Sequence, residues 1–299
     1  MSQHQHDRLR IRTKALRQHE HLFRCPVCTA SMKFAEHSAA LVCDNHHSFD
    51  VSRHGYINLL AGRSSTKYDK ALFQSRKRMN DSGFFQPMLA EIIDVVQELA
   101  DERGQLTLLD AGCGEGSHLT AIGRALDGEK PGRCVRAGLD IAKEGVLTAA
   151  KSDRDSVWCV GDLAQAPFAD QQFDVILNIL SPSNYAEFNR LLTAEGLVLK
   201  VIPGIGYLKE LREMLYPDSG HKRETNDQLL RLFTRHYELV AQRPVQYRYQ
   251  VGPALMKDLV TMTPLAWGAA EEDIMAVLGQ KTADMTVDLM MVCGRRRPG

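Results

Sequence analysis

The run Leu106-Thr107-Leu108-Leu109-Asp110-Ala111-Gly112-Cys113-Gly114-Glu115-Gly116 limits what this chain can fold into more than any other stretch. An apolar segment of strand length passes directly into Asp-x-Gly-x-Gly-x-Gly, and a helical pattern opens at about Ser117. Glycine lacks a Cβ, so its backbone can turn sharply and let a ligand approach closely. The spacing differs by one residue from the G-x-G-x-x-G dinucleotide fingerprint, and a lone glycine loop is weak by itself.

The segments around it strengthen the reading. Apolar runs at 106–109, 136–139, 157–160, 175–179 and 197–201 predict buried strands, with helical patterns between several of them. That alternation predicts a parallel sheet covered on both faces. Asp140 closes the strand Arg136-Ala137-Gly138-Leu139-Asp140, where a carboxylate can accept from both hydroxyls of a ribose. Asp162-Leu163 follows the next strand, where an acid can reach an adenine amino group. Asn178 ends a fourth strand, Phe173-Asp174-Val175-Ile176-Leu177-Asn178, either close to a reacting base or capping the turn that follows. Strand ends converging beside one glycine turn form the crevice in which such sheets bind ligands. Helices are predicted from about Lys70 to Met79 and from Gln86-Pro87 to about Ala100, while the stretch from about Tyr237 to Cys293 mixes strands and a helix in an order that is hard to read.

Cys25-Pro26-Val27-Cys28 is a C-x2-C knuckle, Cys43 follows after fourteen intervening residues, and His47 after three more. Two closely spaced ligand pairs are what a tetrahedral Zn²⁺ needs, with His46 as the alternative fourth donor. A segment this short buries little core, so a structural metal supplies folding energy it lacks. A redox dithiol at Cys25/Cys28 is the competing reading, but no thioredoxin-like βαβ pattern surrounds it.

Charge adds a further constraint. The chain carries 37 Lys plus Arg and 37 Asp plus Glu over 299 residues, a balance that taken whole argues against a nucleic-acid partner. Residues 1–80, however, hold 14 basic and 6 acidic side chains, and the remainder holds 23 and 31. A basic first quarter fits phosphate contact, with Arg24, Arg53, Arg63, Lys67, Arg76, Lys77 and Arg78 as candidates. Seven cysteines, an odd number, with no secretory leader and no run near 18 apolar residues, predict a reduced cytoplasmic protein without a membrane span.

The glycine loop with Asp140 and Asp162 resembles the class I S-adenosylmethionine-dependent methyltransferases. Their Rossmann-like α/β sheet is therefore expected here, together with a small N-terminal zinc-binding domain. A narrower resemblance rests on Cys25-Pro-x-Cys28, Cys43-x3-His47-x-Phe49-Asp50 and Gly55-Tyr56-Ile57-Asn58-Leu59-Leu60. It continues through Gly83-Phe84-Phe85-Gln86-Pro87, Pro203-Gly204, Leu208-Lys209-Glu210-Leu211 and Met262-Thr263-Pro264-x-x-Trp267. These motifs look like the RlmA family of 23S rRNA guanine-N1 methyltransferases, from about His21 to Trp267. The stretch Asn178–Asn184 looks more like its Gram-positive branch, which is tied to macrolide resistance.

The resemblance implies S-adenosylmethionine as cofactor, a structural Zn²⁺ on Cys25, Cys28, Cys43 and His47, a 23S rRNA hairpin as partner, and a homodimer. Family cofactor contacts fall on Phe85, Glu115, Gly116 and Tyr207, the last standing where some members have His. The full expected set adds Asp110, Gly112, Gly114, Asp140, Asp162, Leu163 and Asn178, and no general base is singled out. The expected organisation is an extension at 1–20, a zinc-binding RNA-recognition domain at 21–62, a linker and helical connection at 63–103, and the methyltransferase domain at 104–299. A small-molecule methyltransferase, or an RNA-binding module that keeps the cofactor as a structural ligand, are the alternatives.

Overall fold

The computed structural model describes residues 13–35, 38–60, 62, 68–128, 132–217 and 227–297. Arg63, Lys67 and the first twelve residues of the expected extension lie outside them. Its centre is an eight-stranded sheet in the order β10-β11-β9-β8-β5-β6-β7-β4. The strands are β4 (Tyr56–Asn58), β5 (Leu106–Ala111), β6 (Cys134–Asp140), β7 (Val157–Val160), β8 (Phe173–Ile179), β9 (Leu192–Pro203), β10 (Tyr237–Val251) and β11 (Ala283–Arg296). Strands β4 to β9 pair in parallel, while β11 runs antiparallel to β9 and β10 antiparallel to β11. The parallel sheet predicted from the apolar runs is present. The C-terminal part whose order is hard to read is one long hairpin of β10 and β11 enclosing two helices.

Alternation along each strand divides the core into two layers. In β5, Leu106 and Leu108 enter one buried cluster, and Leu109 and Ala111 the other. The first layer packs against the helices α2 (Lys70–Asp81), α3 (Gln86–Arg103), α4 (Ser117–Asp127), α5 (Lys143–Ser152), α7 (Lys209–Leu215) and α9 (Pro253–Met262). The Asp69 carboxylate accepts from the Leu72 N–H at 2.8 Å and so caps the start of α2. Pro87 occupies the first turn of α3, where its missing N–H costs nothing.

The second layer packs against α1 (Lys14–Gln18), α6 (Tyr185–Leu191), α8 (Asp227–His236) and the cysteine-bearing segment. That segment contains a three-stranded sheet, β1 (Met32–Phe34), β2 (Ala40–Cys43) and β3 (Ser48–Asp50). It does not stand apart. β4 is the edge strand of the large sheet, paired with β7 from Tyr56 opposite Trp158 to Asn58 opposite Val160. The crossover from β7 to β8 has one turn of 3₁₀ helix, Leu163–Gln165, in place of a covering helix. The cysteine-bearing segment covers that face instead. Phe23 stacks on Phe168 with ring centroids 5.3 Å apart, and the Arg24 N–H donates to Pro167 O at 3.2 Å. The residue-62 boundary read from composition therefore falls after a strand shared with the large sheet.

Candidate functional site

The glycine turn leaves the carboxyl end of β5 where the sheet order changes direction, with β6 on one side and β8 on the other. Gly112, Gly114 and Gly116 have φ of 91°, 53° and 80°, so the turn uses the left-handed backbone that glycine adopts without strain. It is laced onto the end of β6. The Gly112 and Cys113 N–H groups donate to Leu139 O at 2.9 and 3.1 Å. Asp140 accepts from the Gly114 N–H at 2.8 Å and, with its other oxygen, from the Ala142 N–H at 2.8 Å. Each carboxylate oxygen retains a lone pair, so the residue expected to hold a ribose both orders the turn and keeps acceptor capacity.

Three carboxyl groups gather here. Burial pushes Asp110 up to about 8, with the Asp140 and Glu115 charges adding to the effect. Burial also raises Glu115 and Asp140. Glu115 accepts from Asn80 Nδ2 at 3.0 Å and from Ser117 Oγ at 2.6 Å. Phe85 is buried and meets the His118 ring edge-on at 5.3 Å. Burial, and then the Arg76 charge, hold that imidazole down at about 4, so it is neutral. His118 Nε2 and Asn80 Oδ1 are buried without a hydrogen-bond partner among the described residues. Unsatisfied polar atoms beside a glycine turn lined by acids fit a cationic, polar ligand such as the amino-acid end of S-adenosylmethionine.

The second wall is the loop after β8. Asn178 is fully buried; its Nδ2 donates to Ala111 O at 3.1 Å and Pro182 O at 2.9 Å, and its Oδ1 accepts from Ser183 Oγ at 2.8 Å. These bonds cap the turn after β8, one of the two roles left open for it. The loop leans on the glycine turn so closely that a Cβ at Gly112 would collide with the Ser181 side chain. Lys200, in the buried apolar run 197–202 of β9, supports the loop, and burial pulls its ammonium down to about 8. Sequence reading missed Lys200; a lysine interrupting a buried strand was the available signal.

Other expected site residues lie further out. Asp162 is exposed and accepts from the Ala164 N–H at 2.8 Å, capping the turn that contains Leu163. Tyr207 is half-buried in the turn after β9, where its N–H donates to Gly204 O at 3.2 Å. Cys113 is buried in the turn, and burial first, then Asp140, push its thiol well up, so it is not a nucleophile at neutral pH. The basic candidates are partly engaged. Arg24 pairs with Asp170 at 3.2 Å, Lys77 with Asp81 at 3.0 Å, and Arg78 with Asp258 at 2.5 Å.

The donor atoms of Cys25, Cys28, Cys43 and His47 all lie within 4.8 Å of one another. Cys28 Sγ is 3.7 Å from Cys43 Sγ, and His47 Nδ1 is 3.4 Å from Cys43 Sγ and 3.6 Å from Cys25 Sγ. A tetrahedral ion with Zn–S bonds of about 2.3 Å and Zn–N bonds of about 2.0 Å has edges of about 3.8 Å between sulfurs and about 3.5 Å from sulfur to nitrogen. The cluster has the dimensions of a closed, structural zinc site. His46, at φ 63°, is exposed and outside it. The Asn45 side chain and then the Ala30 N–H draw the Cys28 thiol down to about 6, whereas burial raises Cys25; a metal ion requires both as thiolates.

Comparison with known proteins agrees with both halves. The RlmA N-terminal zinc-ribbon family matches residues 23–64, and the methyltransferase-domain family matches residues 109–200. A Bacillus subtilis protein named as a 23S rRNA (guanine-N1)-methyltransferase, YxjB, is 40% identical over 92% of this chain and 97% of its own. A Micromonospora griseorubida protein carrying the same activity in its name is 30% identical over 92% of this chain and 97% of its own. The Streptomyces fradiae 23S rRNA (guanine(748)-N1)-methyltransferase is 28% identical over 82% of this chain and 85% of its own.

Proposed function

This chain belongs to the 23S rRNA (guanine-N1)-methyltransferase family, and from that premise we propose that it methylates N1 of one guanine in a hairpin loop of 23S rRNA. The observation that carries the proposal is that the acid-lined glycine turn and the Asn178–Asn184 loop pack against each other at the carboxyl ends of β5 and β8, on the sheet that also carries the zinc-binding segment. Bound S-adenosylmethionine would supply a methyl group on an electrophilic sulfonium. Asp140 would hold its ribose, Asp162 its adenine, and Glu115 its cationic end, with Asp110 giving up its proton as that charge arrives. Buried carboxylates favour a cation that water would otherwise solvate.

The protein's own contribution is positioning. Lys200 and Asn178 fix the loop that faces the glycine turn, so the backbone beside that turn is held in one arrangement before the RNA arrives. A hairpin loop presents its bases unpaired, which lowers the cost of bringing one to the strand ends. The zinc-binding segment, with Arg53 exposed, would grip the RNA backbone nearby.

The relatives come from Bacillus, Micromonospora and Streptomyces, and one of them is named for guanine 748. We extend that target to this chain, together with an effect on macrolide sensitivity, action as a homodimer and a cytoplasmic location. Among the described residues no helix is long and apolar enough to cross a membrane. Primer extension on 23S rRNA from cells with and without the gene tests the target. Loss of the stop at the position equivalent to guanine 748 is expected; loss at the neighbouring guanine would contradict the assignment.

A further inference from the structure

A row of aromatic rings joins the protein surface to the glycine turn. Trp267, 49% exposed, lies in the short turn Pro264–Gly268 after α9, with its ring centroid 5.7 Å from that of Tyr68. Tyr68 stands 6.3 Å from Phe73, and the Arg76 guanidinium lies over both rings, at 5.6 and 5.7 Å. At the inner end, a Cβ on Gly114 would sit 3.5 Å from Phe73 and 3.8 Å from Arg76.

The row is held rigidly although its members are far apart in sequence. Arg78 grips both oxygens of Asp258 on α9, at 2.8 and 2.5 Å, and Ser75 donates to the same carboxylate at 2.9 Å. This clamp fixes α9, and the turn that follows it, against the helix carrying Phe73 and Arg76. Tyr216 Oη donates to Leu265 O at 2.7 Å and pins that turn from its other side. The core does not require a half-exposed tryptophan, and the clamp holds the turn that carries it beside Tyr68, over which the Arg76 guanidinium lies. Flat apolar faces interleaved with a guanidinium suit the stacking of an unpaired nucleobase, which offers a π-face and an adjoining phosphate.

We propose that Trp267 and Tyr68, with Arg76, form a stacking platform for an unpaired nucleobase of the RNA loop that carries the target guanine. The proposal rests on the rRNA reading above. Trp267 is a positioning residue in it and takes no part in methyl transfer.

The test uses the full-length, zinc-loaded protein with a 23S rRNA transcript. W267A is expected to raise KM for the transcript by roughly 10- to 100-fold, the range of a lost base stack, with KM for S-adenosylmethionine within threefold of wild type. W267F should recover most of the loss, and Y68L should reproduce part of it. Tryptophan emission supplies a second readout, because the chain has 2 tryptophans and the other, Trp158, is buried. RNA should quench the wild-type emission, and W267F should abolish the quench. An unchanged KM for RNA in W267A, or a rise confined to the cofactor KM, would overturn the platform while leaving the rRNA reading intact. Failure of the wild-type protein to methylate the transcript would overturn the reading beneath it.

Discussion

Lys200 Nζ donates to Asn178 Oδ1 at 2.5 Å, and the same buried ammonium reaches Ser183 Oγ at 2.6 Å and Ser181 O at 3.2 Å. One cation thus ties the end of β8 to the loop that leans on Gly112. Removing it takes a donor from all three acceptors, of which Asn178 Oδ1 keeps Ser183 Oγ, and a buried polar group left unsatisfied costs about 1–3 kcal/mol. K200M is therefore expected to lower kcat by roughly 100-fold, with smaller changes in either KM. K200R should restore part of the rate. Steady-state kinetics with both substrates varied would check this, and a K200M enzyme with wild-type kcat would refute the assignment.

Asp110 gives stability a defined pH dependence. Its folded-state pKa, pushed to about 8 by burial, lies above the ordinary carboxylate value of about 4. Between these values the unfolded chain has released a proton that the folded chain keeps. The stabilisation is fully present below pH ~4, is lost as pH rises through about 8, and changes little beyond. D110N cannot ionise and should remove this slope. Melting curves at pH 5, 7 and 8.5 should show the variant gaining on wild type by a few degrees as pH rises. Parallel curves for the two proteins would show that Asp110 titrates normally.

Removal of zinc should weaken the whole chain and not only the segment around the ion. Cys25 and Cys43 belong to the same buried cluster as Leu109, Phe168 and Phe173 of the central sheet and its crossover. Metal analysis should find one zinc per chain, falling sharply in C43S. Calorimetry of C43S should show a single transition at lower temperature. An unshifted main transition with a separate early one would mean that the segment folds alone.

Two glycines separate backbone strain from steric overlap. Gly104 and Gly116 share positive φ, at 84° and 80°. A Cβ at Gly104 would meet open space, whereas one at Gly116 would lie 2.5 Å from the Trp158 ring and 2.7 Å from Ala149. G104A should cost about 1 kcal/mol and G116A about 2–4 kcal/mol, because only the second adds overpacking to strain. Urea unfolding measures both. Equal costs would contradict the close contact between Trp158 and the glycine turn.

Much of this site was legible because its chemistry acts over short sequence distances. Zinc ligands must come in closely spaced pairs, and the turn after β5 needs glycine at each left-handed position, so both leave patterns in consecutive residues. β7 was read residue for residue, and the neighbouring strands were read to within a few residues at each end. What escaped depends on contacts between distant segments. Tyr56–Asn58 is a three-residue strand whose partner lies about a hundred residues away at Trp158–Val160, and nothing local announces that pairing. Lys200 interrupts an apolar strand and acquires meaning only when β8 places Asn178 beside it. The basic surplus of the first quarter overstates the surface available to phosphate, since Arg24 and Arg78 are held by Asp170 and Asp258, both in the acidic remainder.

The most direct test is to incubate the purified protein with methyl-labelled S-adenosylmethionine and unmodified 23S rRNA, digest the RNA to nucleosides and identify the labelled product by mass spectrometry. The account predicts one labelled methyl group per rRNA molecule, recovered as 1-methylguanosine. Label in a different nucleoside, or in small molecules and not in RNA, would contradict it.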